Sequence, residues 1–390
     1  MEFVPRIPEH LLLYEPRTEG HHLGWLRFLT EDLLSANYQL SLAVDLHPAA
    51  QGKLEDHLSG LLSQVRLYPA YDVSGQRHRD GKAGSVAFCL RESGAKRVFL
   101  AAFDEIASAC WRRAACGLTP PRGLRGRMGG IYHRPRFLVA PWWSPNRLLK
   151  RAGFRRLLTH GWLNQLLFVD EYLARALQRE FPGAPFFFLP DPCPADFNTE
   201  SAAARLQLGL SGNKRVLLFF GTGQRRKGLH LVVEALLPLS PNEAPFLLCV
   251  GQQDPQGITA RGLDQLVRQG SARVINRYVS VAEEKFSFAA ADVVLLPYIN
   301  HFGTSGVLSR AMVTGKMVIV SDEQLLGRLT RERGLGLLFP SGDVGQLRER
   351  IRQAVAMSAG ELARWSAAAK NYAQDYSRAA YRAALLASLG

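Results

Sequence analysis

The sequence predicts an α/β protein of two Rossmann-like domains, and three observations carry that reading. Apolar runs of strand length alternate with segments of helical period along the whole chain. The alternation slackens once, at the proline-rich stretch DPCPAD over 191–196. The 390 residues are about twice a common domain length. Such alternation implies parallel sheets covered by helices on both faces.

The first series opens with a strand over 11–14 and a glycine-containing turn at Glu19-Gly20-His21-His22. A helix with Leu26, Leu29, Leu33 and Leu34 on one face follows. Strands are predicted over 40–44, 65–68, 98–103, 166–169 and 186–189, with helical segments between them. The second series has strands over 216–220, 246–250, 273–275, 293–296 and 317–320. The predicted domains are 1–194 and 195–371, followed by a helical terminal segment over 372–390.

Composition narrows the class. Apolar residues make up 47% and charged residues 21%, the balance of a globular chain and not of a disordered one. No apolar run reaches the roughly 18 residues of a membrane-spanning helix. The opening MEFVPRIPEH has charges and prolines where a signal peptide has an apolar core. Five cysteines without a C-x-x-C pair argue against a disulfide framework and a structural zinc site. A cytoplasmic protein is the expectation. The 48 Lys+Arg against 34 Asp+Glu leave +14, which predicts an anionic partner: nucleic acid, a membrane surface or a phosphate-bearing small molecule.

Two segments of the second half face such a partner. Gly221-Thr222-Gly223-Gln224-Arg225-Arg226-Lys227-Gly228 directly follows a strand and precedes a helix. Ligands of doubly wound folds sit at the carboxyl ends of strands, and three consecutive cations there suit a diphosphate. The spacing is not that of a P-loop. The second segment, Tyr298 to Met312, follows the apolar strand that Pro297 ends. A helix starting near Thr304 or Ser305 would aim its free N–H groups at an anion. A solvated basic turn and an ordinary capped helix are the alternatives.

At these residues the chain resembles glycosyltransferases with the GT-B fold, the retaining family 4 in particular. The matching segments are VLLFFGTGQRRKGLHLVVEAL, FAAADVVLLPY, SGVLSRAMVTGKMVIVSD and GLGLLFPSGDVGQLRERI, which together cover roughly 214–354. The resemblance implies that two domains face each other across a cleft, the first binding the acceptor and the second a nucleotide sugar. It makes Lys227 the family's phosphate-binding lysine and places Thr304, Ser305, Gly306 and Val307 at the phosphate-binding turn. It also implies that the terminal helix crosses back to the first domain. The family's arginine after the first glycine is here Thr222, leaving Arg225 or Arg226 to substitute for it. The family's two glutamates, eight positions apart, are here Phe302 and Arg310. Asn300 and His301 are the polar side chains nearest the first of those places, and Arg310 either meets a phosphate or covers a solvated helix face.

The chain contains no D-x-D triplet, so the expectation is a metal-independent reaction. No cofactor is expected beyond the co-substrate, a sugar nucleotide of UDP or GDP type. In the first half, Gly20, His21 and His22 occupy the first strand-to-helix turn. Asp104 ends a strand as either a proton acceptor or a helix cap. His133 is a further cleft candidate. Between Glu105 and Asp170 no acidic residue occurs, while Arg112, Arg113, Arg122, Arg125, Arg127, Arg134, Arg136, Arg147, Lys150, Arg151, Arg155 and Arg156 do. Within this basic tract 112–156, and with Trp142, Trp143 and Trp162 nearby, segment 145–158 reads as a basic helix with apolar Leu148, Leu149, Phe154, Leu157 and Leu158, lying on an anionic membrane or packed on its own domain. No nucleic-acid-binding signature appears. The expected activity is transfer of a sugar from a nucleoside-diphosphate sugar to a lipid-linked or glycan acceptor; the alternative, which the missing paired glutamates raise, is a non-catalytic GT-B-like binding or partner subunit. The expected location is peripheral, on the inner face of a membrane.

Overall fold

A computed structural model describes residues 9–19, 22–72, 74–78, 81–139, 145–197, 199–210, 214–240, 244–253 and 256–390. The chain divides into two compact units, one of residues 1–189 with 382–390, the other of residues 190–381.

The first unit holds seven parallel strands: β1 (His10–Glu15), β2 (Gln39–Val44), β3 (Arg66–Pro69), β4 (Arg97–Leu100), β5 (Met128–Tyr132), β6 (Leu166–Phe168) and β7 (Phe186–Phe188). Their order is β3-β2-β1-β4-β5-β6-β7. β1 lies between β2 and β4, with Leu12 opposite both Ser41 and Val98. Strand order reverses direction there, which is where ligands bind in open sheets. The core gathers Leu12, Tyr14, Leu100, Phe103, Ile106, Phe154, Trp162 and Phe168 between sheet and helices.

The second unit repeats the plan with β8 (Val216–Phe220), β9 (Phe246–Val250), β10 (Ala272–Ile275), β11 (Val293–Leu296), β12 (Met317–Ser321) and β13 (Gly336–Phe339), in the order β10-β9-β8-β11-β12-β13. Every pairing is parallel, and the reversal falls between β8 and β11. β8 and β11 are apolar throughout because helices cover both faces.

The structure departs from the sequence reading in four places. β4 ends at Leu100, and 101–103 form a turn into the helix Asp104–Ala115. β5 and β13 are strands that the glycines Gly129, Gly130 and Gly336 disguise. The stretch 191–196 packs on the second unit: the Cys193 N–H donates to the Tyr376 carbonyl at 2.7 Å, and Lys285 pairs with Asp196. Residues 372–390 form no single helix. Ala359–Asp375 and Arg378–Leu389 are separate, and Arg382–Gly390 groups with the first unit, where Arg382 lies 3.9 Å from Asp32.

The basic tract is mostly spent inside its own unit. In the helix Pro145–Thr159, Phe154 and Leu157 are buried, and Arg151 and Arg155 pair with Glu180 at 2.9 and 3.1 Å. Arg156 donates to the Ala115 carbonyl at 2.7 Å, and Arg127 to the carbonyls of Lys96 and Ala95. Trp162 is buried, so it is a core residue and not an interfacial one. Trp142 and Trp143 lie outside the described residues. Leu148 and Leu149 of this helix remain 58% and 54% exposed, and Leu118 earlier in the tract is exposed as well.

Candidate functional site

The two anion-facing segments meet where β8 and β11 lie side by side. After β8 the chain turns at Gly221, whose φ is 124°; its N–H donates to the Val250 carbonyl at 2.9 Å. The Gly223 N–H bonds the Gln252 carbonyl at 2.9 Å, which ties this turn to the end of β9. Arg225–Lys227 then make one tight helical turn. Gly228 follows at φ 78°, and a Cβ there would lie on the Pro297 carbonyl. Only glycine allows the basic turn to press this closely on the segment after β11. The contact is fixed further by the Ile299 N–H, which donates to the Arg226 carbonyl at 2.8 Å.

That approach sets Lys227 over the ring of Tyr298, Nζ 3.9 Å from its centroid. Tyr298 is buried, and its hydroxyl is 3.3 Å from the Ser305 hydroxyl. Ser305 is the N-cap of the helix Gly306–Val313, yet its side chain makes no capping bond. The helix start is therefore open to an anion through its backbone N–H groups. Lys227 beside such a helix start is an arrangement that can neutralise a diphosphate.

His301 adjoins the same place. Its Nε2 lies 3.0 Å from the Thr304 carbonyl, so it carries the proton of that bond, and its ring is 5.0 Å from that of Tyr298. Asn300 is exposed with φ 51°, a left-handed conformation that costs a non-glycine residue about 1 kcal/mol. The His301 N–H donates to Glu323 Oε2 at 3.3 Å. Glu323 comes from the end of β12, beside Gln324 with φ 46°. Neither Glu323 nor the platform role of Tyr298 is among the residues the sequence singles out. The available signal for Glu323 is its place directly after a buried strand, the position from which ligands are reached in such sheets.

Arg225, Arg226 and Thr222 are exposed, and Arg226 Nε bonds Gln224 Oε1 at 2.9 Å. Val307 is buried. Arg310 is tied down: its guanidinium pairs with Glu284, and Nη1 donates to the Gly306 carbonyl at 3.0 Å. Asp191 hydrogen-bonds the Thr304 side chain, and burial pushes its carboxyl above the usual range. Arg310 is thus a helix-anchoring residue here, held by its own unit's carboxylate.

In the first unit Gly20 and His21 lie outside the described residues. His22 opens the helix His22–Ser35, and its Nδ1 is 2.9 Å from the buried Glu15 carboxylate. His133 Nε2 donates to the Ala101 carbonyl at 2.9 Å, with Trp25 edge-on at 4.9 Å. Burial pulls its pKa down to about 4, so the ring is neutral at pH 7. Asp104 accepts from the N–H groups of His133 and Arg134, both at 2.8 Å. Burial raises its pKa, and the two backbone bonds oppose that. Asp104 therefore latches the segment after β5 to the start of its helix, which is a different task from taking a proton from a substrate.

Among the described residues no group of three His, Cys, Asp or Glu side chains is placed to hold a metal ion, and no helix is long and apolar enough to cross a membrane. Residues 214–357 match the family model of the glycosyl transferases group 1. The matched segment contains β8 to β13 and the site just described. Among curated proteins, the D-inositol 3-phosphate glycosyltransferase of Nocardia farcinica is 28% identical over 46% of this chain and 44% of its own. The phosphatidyl-myo-inositol mannosyltransferase of Mycobacterium leprae is 28% identical, covering 46% of each chain. The chain thus spans about half the length of the curated relatives it matches. The Anabaena Alr3699/HepE structure in complex with UDP superposes with a TM-score of 0.69 at 16% identity, covering 98% of this chain and 99% of that one. That likeness shows the fold, two Rossmann-like domains of the GT-B glycosyltransferase type.

Proposed function

We propose that the chain transfers a sugar from a nucleoside diphosphate sugar, of UDP or GDP type, to a lipid-linked or glycan acceptor. The second unit binds the donor and the first the acceptor. The observation that carries this reading is Lys227, held over Tyr298 beside the uncapped start of the helix Gly306–Val313. The diphosphate leaving group gains charge as the glycosidic bond breaks, and fixed cations and N–H dipoles stabilise it without a metal ion. His301 and Asn300 face the sugar, with retention of configuration as the expected course. The relatives support the substrate classes: one solved structure contains UDP, and the curated proteins are named for an inositol phosphate and a phosphatidylinositol acceptor.

Calorimetric titration with UDP and GDP tests the donor site. Lys227→Ala should weaken binding roughly 10- to 100-fold, the loss of one charge-assisted phosphate contact. Unchanged affinity in a folded variant overturns the assignment. A second reading, a non-catalytic nucleotide-binding module, is favoured by Phe302 and Arg310 at the glutamate places and by the Glu284 pairing of Arg310. Turnover or slow donor hydrolysis with a panel of nucleotide sugars decides between them. A peripheral membrane location is part of the proposal. It rests on exposed Leu148 and Leu149 amid the cations of 112–156.

A further inference from the structure

The carboxyl ends of β1, β3 and β4 in the first unit carry a cluster that the donor site does not use. Glu105, in the first turn of the helix Asp104–Ala115, has a side chain only 2% exposed. Arg17, two residues beyond β1, pairs with it. Arg77 Nη2, from the loop after β3, reaches the same carboxylate at 2.8 Å, and Lys82 Nζ lies 3.6 Å away. Three cations against one carboxylate leave an excess of 3 − 1 = +2. One cation would satisfy Glu105, and each further one adds like-charge repulsion.

Lys82 carries both burial and that crowding. Burial, then the charges of Arg77, Arg17 and Arg112, hold its ammonium below the usual lysine range. Described residues of the loop position Arg77: Asp72 Oδ1 accepts from the Ser74 and Gln76 N–H groups at 2.9 Å each, and a bridge joins Tyr71 to Arg77. Arg77 Nη1 is buried with no hydrogen-bond partner among the described residues. The side chains of Arg17 and Lys82 are about half exposed, at 51% and 47%, so an anion reaches the cluster from solvent.

We infer that Arg17, Arg77 and Lys82 form a binding site for a phosphate monoester carried by the acceptor. A phosphate monoester brings about −1.5 to −2 charges at pH 7, which matches the excess, where a carboxylate brings half as much. The guanidinium forks of Arg17 and Arg77 suit phosphate oxygens, and Lys82 adds a point charge. Glu105 holds the three cations in one place while the site is empty. Arg17 and Glu105 follow β1 and β4, the strands that flank the sheet's reversal, where this fold takes its ligands. The assignment of the ester to the acceptor rests on the proposed role of the first unit.

Calorimetry of the full chain with glycerol 3-phosphate, and with glycerol as the neutral control, tests the site without any donor. The ester should bind saturably and glycerol should not. Arg17→Gln and Lys82→Gln, both at half-exposed positions that leave the core intact, should each weaken binding about tenfold; Arg77→Gln should do so more strongly. Flotation with phosphatidic acid in phosphatidylcholine vesicles separates the sources. Vesicle binding lost in Arg17→Gln marks a lipid headgroup, whereas binding of the soluble ester alone marks a soluble acceptor. No saturable binding of either probe, or equal binding by wild type and the Arg17→Gln and Lys82→Gln variants, overturns the inference. Ester binding without any sugar transfer would defeat the transferase reading alone, and transfer to a neutral acceptor without ester binding would defeat this one alone.

Discussion

At the scale of single residues, the donor site depends on one glycine and one aromatic ring. Gly228→Ala forces a left-handed alanine against the Pro297 carbonyl. It should destabilise the second unit by at least about 2 kcal/mol, seen as a lower denaturant midpoint, and weaken nucleotide binding together with it. His133 gives a pH signature. Its folded pKa of about 4 lies below the ordinary histidine value of 6.5, so the unfolded chain binds the proton more readily. Stability from the neutral ring is therefore present above pH 6.5 and is lost as pH falls towards 4, by up to about 3 kcal/mol. Urea titrations of wild type and His133→Phe across that window check it, since the variant should lose the extra slope. The sequence exposes Lys227 and the turn 304–306 because both follow strands directly. It conceals Glu323, Glu284 and Asp191, because each reaches the site from a different segment of the chain and no local spacing records that approach.

At the scale of elements, apolar alternation made most strands legible, and glycine hid the rest. Gly129 and Gly130 fall in no apolar run, yet they belong to β5, where a Cβ on Gly130 would lie on the Leu100 carbonyl. Gly336 plays the same part in β13 against Val318. Periodicity detects side chains, so a strand that needs their absence escapes it. The helix Pro145–Thr159 shows the opposite limit: its cations and leucines were plain, but not which of them face inward. Its two faces predict opposite phenotypes. Phe154→Ala should cost about 3–5 kcal/mol and show in thermal melting, because Phe154 stacks on Phe186 in the core. Leu149→Ser should change stability by no more than about 0.5 kcal/mol while reducing flotation with anionic vesicles. Equal flotation of Leu149→Ser and wild type would remove the membrane part of the proposal.

At the scale of the whole molecule, two compact units imply two separable responses. Among the described residues, one apolar cluster running from Leu12 to Phe186 lies in the first unit and another, from Leu217 to Ala354, in the second. A ligand stabilises the unit that binds it by about 2.7 kcal/mol at a hundredfold excess over Kd. UDP should therefore raise one calorimetric transition and leave the other in place, and hydrogen exchange should locate the protected amides in β8, β11 and the helix Gly306–Val313. Residues 382–390 supply a control that needs no ligand. They group with the first unit, where Leu385 and Leu389 are buried and Arg97 reaches the Leu389 carbonyl at 3.4 Å. Deleting them should lower the transition that UDP does not shift, by several kcal/mol for two lost core leucines, and leave the UDP-responsive one unchanged. If the deletion lowered both transitions equally, the two cores would be unfolding as one cooperative unit, and nucleotide binding could not be read from either transition alone.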